Sequence, residues 1–131
     1  MKKIVLVALT MLLMVGCVTK PIQNVENRPI PLTAQQLSLD QIESLIIAAG
    51  QSRGWQFKRE APGHLSASQN NPKYAATVDI RFDQRVYSIL HRSTVGLKEK
   101  DGTVHTRYNN WILLLQRDID ARLANQSISV R

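Results

Sequence analysis

From Tyr74 to Asp83 the residues alternate without a break, with Ala76, Val78, Ile80 and Phe82 on one side and Thr77, Asp79, Arg81 and Asp83 on the other. A period of two predicts a strand with one dry and one wet face, because a row of charges is costly to bury. Trp55 to Glu60 alternates in the same way, and His64 to Ser68 places Leu65 and Ala67 on one face. Val86 to Arg92 follows as a further strand. Its inward face is open between Val86, Ser88 and Leu90 on one side and Tyr87, Ile89 and His91 on the other. Turn signals at Ala61–Pro62–Gly63, Asn70–Asn71–Pro72 and Asp83–Gln84–Arg85 separate these runs. Short links of this kind predict a four-stranded antiparallel meander.

Helical periods flank the strands. Leu39, Ile42, Leu45, Ile46 and Ala49 recur at three- and four-residue steps, predicting a helix from Leu39 to about Arg53. Ser38 and Gln41 form a capping-box pattern, Asp40 and Glu43 suit the first turn, and Gly50 and Gly54 offer stops. A second helix is predicted from Thr106 to about Asn125, with Tyr108, Trp111, Ile112, Leu115, Ile119 and Leu123 as its apolar stripe. Leu113 and Leu114 widen the stripe. Gly96 to Gly102 reads as a charged loop turning at Asp101–Gly102, and Gln126 to Arg131 as a polar tail. The order α-β-β-β-β-α predicts an α+β fold in two layers. Its four-stranded antiparallel sheet carries the N- and C-terminal helices on one face.

The N-terminal pattern is of another kind. Lys2 and Lys3 precede a run from Ile4 to Val15 that is apolar except for Thr10, and Gly16 and Cys17 close it. A membrane-spanning helix needs about 20 apolar residues, so this run is too short to span and suits a secretory leader. Met14–Val15–Gly16–Cys17 resembles the lipobox of bacterial lipoproteins, whose usual form is Leu-Ala/Ser-Gly/Ala-Cys; Met14 stands where leucine is commonest. The resemblance implies cleavage between Gly16 and Cys17, diacylation of the Cys17 sulfur, and often acylation of the new amino group. A thiolate is the nucleophile such lipidation requires. Two or three acyl chains anchor stably where one is marginal. Val18 and Thr19 follow in place of the aspartate that tends to retain lipoproteins at the inner membrane, which implies the outer membrane, facing the periplasm.

The chain thus divides into a signal peptide (1–16), a lipidated cysteine with an extended tether (17–36) and a single α+β domain (37–131). Within it Val18 to Pro31, with Pro21, Pro29 and Pro31, reads as extended chain, and these fourteen residues would hold the domain up to roughly 45 Å from the membrane. Lys2 and Lys3 leave with the leader, so the formal charge falls from +7 to +5. Cys17 is the only cysteine, so the domain has no internal disulfide and depends on a packed core. An export signal also argues against nucleic acid as a partner.

Few residues promise chemistry. His64, His91 and His105 lie no closer than fourteen residues apart, without zinc-site spacing, and no cofactor or metal is expected. Ser66, Ser68, Ser88, Ser93 and Thr94 neighbour the histidines, but none sits in a nucleophile elbow. Asp79 and Asp83 share a strand face about 13 Å apart, too far for a glycosidase carboxylate pair. Trp55 and Trp111 read as core. A basic, aromatic-edged patch of Arg81, Tyr87, His91 and Arg92 is the expected binding surface, if Tyr87 and His91 face outward. The run Arg107–Tyr108–Asn109–Asn110–Trp111–Ile112 resembles a Tyr-Asn-x-Trp-Ile run of small uncharacterised proteobacterial envelope lipoproteins and implies no activity.

The expectation is a membrane-anchored, non-catalytic binding module contacting an envelope protein. One alternative is a binder of anionic envelope ligands, phosphate or glycan, through Arg81, Arg85, Arg92 and Arg107, with an anionic glycan or lipid as its partner; a hydrolase is the remaining one.

Overall fold

The computed structural model describes residues 18–129, with side chains to residue 125; the expected leader, the lipobox-like run and Cys17 lie outside the described residues. In chain order the elements are β1 (Thr19–Pro21), β2 (Val25–Pro29), a 3-10 turn (Ala34–Gln36), α1 (Leu39–Gln51), β3 (Gln56–Ala61), β4 (His64–Asn70), β5 (Ala75–Phe82), β6 (Val86–Val95), β7 (Thr103–His105) and α2 (Thr106–Ser129). The fold is α+β. Its antiparallel sheet runs β2-β6-β5-β4-β3, and β1 and β7 form a separate two-stranded ribbon.

Local signals made α1. The Ser38 hydroxyl accepts from the Gln41 amide while the Gln41 side chain accepts from the Ser38 amide, satisfying two donors that the first turn leaves open. Ile42, Ile46 and Ala49 are buried along its stripe, with Leu39 and Leu45 half-buried. In α2 the buried stripe is Tyr108, Ile112, Leu115, Ile119 and Leu123; Trp111 is half-buried and Leu113 is exposed. The helix continues to Ser129, beyond the expected end near Asn125. Arg53, in the turn just after α1, pairs with Asp118 of α2.

Both helices contribute to one hydrophobic cluster with the alternating residues Ala76, Val78, Ile80 and Phe82 of β5. The register pairs Ile80 with Leu65 and with Ile89, and Phe82 with Tyr87, so these side chains share the helix-facing side. That register decides the open question of β6. Tyr87 and Ile89 are buried, His91 packs edge-on against Tyr108, and Ser88 and Leu90 take the other face. The Tyr87 hydroxyl donates to Asp120 of α2 at 2.6 Å, which satisfies the polar end of a buried ring. Burial first, then this bond, pushes its pKa up, so the phenol keeps its proton.

The four-strand expectation fails at the N-terminal segment. Residues expected to form a tether are instead strands of the fold, and β2 adds a fifth strand beside β6. The segment carries little hydrophobic pattern because side chains elsewhere in the chain hold it. The Ile22 amide donates to Gly102 O, Gln23 to the Asn109 side chain, and Asn109 in turn to Pro21 O. Asn24 accepts from the His91 amide, and Arg28 pairs with Asp120 at 2.8 Å. Pro29 fits because an edge strand can spare a donor. At the outer end Val18 O already accepts from the Thr106 amide at 3.1 Å.

Candidate functional site

The helix-free face of the sheet collects the polar half of each alternation. Ser66 opposes Asp79, and His64 opposes Arg81. A register shift between Thr77 and Val78 leaves Arg92 as an extra residue of β6, a bulge that re-aims its side chain. Arg92 grips Asp79 with two nitrogens, Nε reaching Oδ2 at 3.1 Å, while His64 Nε2 lies 2.6 Å from Asp79 Oδ1. Beside them the Ser66 hydroxyl donates to Glu60 at 3.0 Å. The serine's partner is therefore a carboxylate, and no hydroxyl–imidazole hydrogen bond forms among the described residues. Among the described residues, no three His, Cys, Asp or Glu side chains converge as metal ligands would.

Hydrogen bonding to Arg92 holds the Asp79 carboxyl below its usual range; burial opposes this, and the His64 bond supports it. A depressed folded-state pKa means that the stabilising contribution is complete above the unfolded value of about 3.9. It is lost as pH falls through the lower, folded value. Asp83, bonded by the Val86 and Arg85 amides, and Glu99, bonded by Thr94, are depressed as well and add to the same acid loss. Urea midpoints measured down the acid range test this. Asp79→Asn is expected to lower the neutral plateau and to flatten part of the fall below about pH 4. A fall as steep as the parent's would show that Asp79 carries none of it.

Toward the β5–β6 turn this face opens into a cleft of about 550 Å³, lined by Glu26, Asn27, Arg81, Asp83, Ser88 and Leu90 among others. Asp83 closes the turn by accepting from the Arg85 and Val86 amides at 2.7 and 2.9 Å. Ser88 accepts from the Asn27 amide, which ties β2 to the rim. Arg81 forms no ion pair there among the described residues.

The expected patch of Arg81, Tyr87, His91 and Arg92 is therefore divided by the sheet. Arg81 and Arg92 lie on the open face, and Arg92 is already paired. Tyr87 and His91 are on the helix side, where His91 Nε2 meets Glu99 at 2.7 Å. The physical reason is the cross-strand match of Tyr87 to Phe82, which places an apolar ring in the core. Of the other arginines considered, Arg107 stacks over the Tyr74 ring at 4.7 Å. His105 Nδ1 accepts from the Arg107 amide. Sequence reasoning missed Glu60 and the bulge that delivers Arg92; the outward phase of Asp79 and Arg81 was the available signal. It also missed Asn109, whose place in the Tyr-Asn-x-Trp-Ile run is explained by its two bonds to the N-terminal segment. No protein-family model matches this chain, and no curated protein matches it.

Proposed function

We propose that this chain is a membrane-anchored envelope lipoprotein whose folded part is a non-catalytic binding domain. The observation that carries the anchor is Met14–Val15–Gly16–Cys17 at the end of an apolar run too short to span a bilayer. Val18 and Thr19 after the cysteine favour the outer membrane and its periplasmic side. The open sheet face supports the binding reading, because it is polar, bare of helices and opens into a cleft. That cleft lies by the β5–β6 turn, while Val18 sits at the far end of β6, beside Thr106. Anchored through Cys17, the domain would therefore present its cleft away from the lipid, toward another envelope component.

Arg81 favours the second reading, capture of an anionic phosphate or glycan group, because it lines the cleft and has no ion-pair partner among the described residues. Glu26 and Asp83 on the same rim oppose it.

Intact-mass spectrometry of the native protein is expected to show residues 1–16 removed and acyl mass on Cys17; a bare thiol or a retained leader refutes the anchor. In-cell crosslinking from Ser88 tests the binding face. Neighbours retained in Arg81→Ala support a protein partner, and neighbours lost with it support the anionic ligand. No specific neighbour at all removes the binding reading.

A further inference from the structure

We infer that the end of the domain where the chain enters rests directly on the head groups of an anionic phospholipid leaflet, in one orientation. The inference builds on the proposed lipid anchor and adds which surface meets the membrane. Its first support is the missing slack. Val18 is fastened to Thr106 at 3.1 Å, and the bonds from Ile22, Gln23 and Asn24 continue the fastening. One residue spans at most about 3.6 Å, so a lipid on Cys17 enters the bilayer next to the folded body, not at the end of a long tether.

The second support is what lies at that end. Thr106 precedes Arg107, whose guanidinium covers Tyr74; next to Tyr74 stands Lys73, whose carbonyl abuts Gly96. Val95, beside Gly96, is 67% exposed. Lys20 pairs with Val104 on β7, and Lys98 follows Leu97, whose carbonyl accepts from the His105 amide next to Thr106, so Lys20, Lys73, Lys98 and Arg107 gather toward this end with Glu99 as the neighbouring acid of the β6–β7 link. Glu99 is occupied by His91 and Thr94. None of these four bases is in an ion pair among the described residues. The other end of β6 is balanced, since Arg81 and Arg85 stand beside Glu26 and Asp83.

Basic side chains within a Debye length of an anionic leaflet, about 8 Å at physiological salt, are attracted to it, and an exposed apolar side chain such as Val95 gains by entering the interface. No helix among the described residues is long and apolar enough to cross a membrane.

The test uses the full, acylated protein in phosphatidylcholine vesicles with and without phosphatidylglycerol. With Cys17 acylated, a single introduced cysteine takes a spin label at Val95→Cys or, at the opposite end, at Gln84→Cys; both positions are exposed. With phosphatidylglycerol present, the label at 95 is expected to be shielded from a water-soluble nickel chelate and open to oxygen, and the label at 84 to stay in water. Lys73→Gln with Lys98→Gln is expected to lower the docked-to-free ratio at 95 by roughly fivefold per charge. Arg81→Gln with Arg85→Gln is expected to leave it unchanged. Equal chelate access at 95 and 84 on a fully acylated preparation overturns the docking alone. A preparation whose mass shows no acyl group on Cys17 overturns the anchor itself.

Discussion

Alanine at Gly96 is expected to destabilise the protein by about 3 kcal/mol, through strain and a clash at one position. The residue has φ near +76°, where an L side chain is strained, and an added Cβ would lie 2.2 Å from the Lys73 carbonyl oxygen. That oxygen is backbone, so the β4–β5 link must move to make room. The corner also carries the exposed Val95 and orders Leu97, which is buried and accepts from the His105 amide. Gly102 separates the two effects. Its φ is near +80°, yet a Cβ there meets nothing within 4 Å, so Gly102→Ala is expected to cost only about 1 to 2 kcal/mol of strain. Urea unfolding of the two variants is the measurement. Equal losses would show that the contact with Lys73 yields at little cost.

Ile80→Ala is expected to cost about 3 kcal/mol, within the range for emptying a buried aliphatic site. Ile80 is fully buried in the middle of the central strand, opposite Leu65 on one side and Ile89 on the other. Its neighbours along the chain, Asp79 and Arg81, point the other way into the polar face and the cleft. The cavity should therefore loosen the positioning of the His64–Asp79–Arg92 group as well as lower the urea midpoint. Leu113→Ala provides the contrast, because Leu113 is 50% exposed on α2 and its loss should stay within about 0.5 kcal/mol. Similar costs for the two would mean that the β5 core is not packed as its register implies.

How much of this was legible depends on how far each determinant reaches. Helix α1 was readable because Ser38 caps Gln41 three residues away and its stripe repeats within each turn. The outward phase of Asp79 and Arg81 was readable because alternation along β5 is a property of one strand. The hairpin turn at Asp101–Gly102 was readable too, as both residues adopt the positive φ that this dipeptide tolerates. Strand β2 was not. Val25 is the only buried residue in Val25–Pro29, and what holds that edge is Arg28 to Asp120 and Asn27 to Ser88, partners more than sixty residues away.

The candidate site divides along the same line. Its polarity was visible in the alternation, but the pairing of Arg92 with Asp79 required a bulge that only the β5–β6 register creates. Tyr87 could equally have faced water until a match to Phe82 and a hydroxyl partner in α2 turned it inward. Two helices around a meander and one dry sheet face follow from periods and caps that act within a few residues, and the apolar run Ile4–Val15 before Gly16–Cys17 is likewise legible in the sequence. The fifth strand, the fastened N-terminal segment and the split of the expected patch follow from hydrogen bonds and ion pairs between distant parts of the chain. Such pairs leave no periodic trace, because each depends on where two separate segments meet after the core has formed.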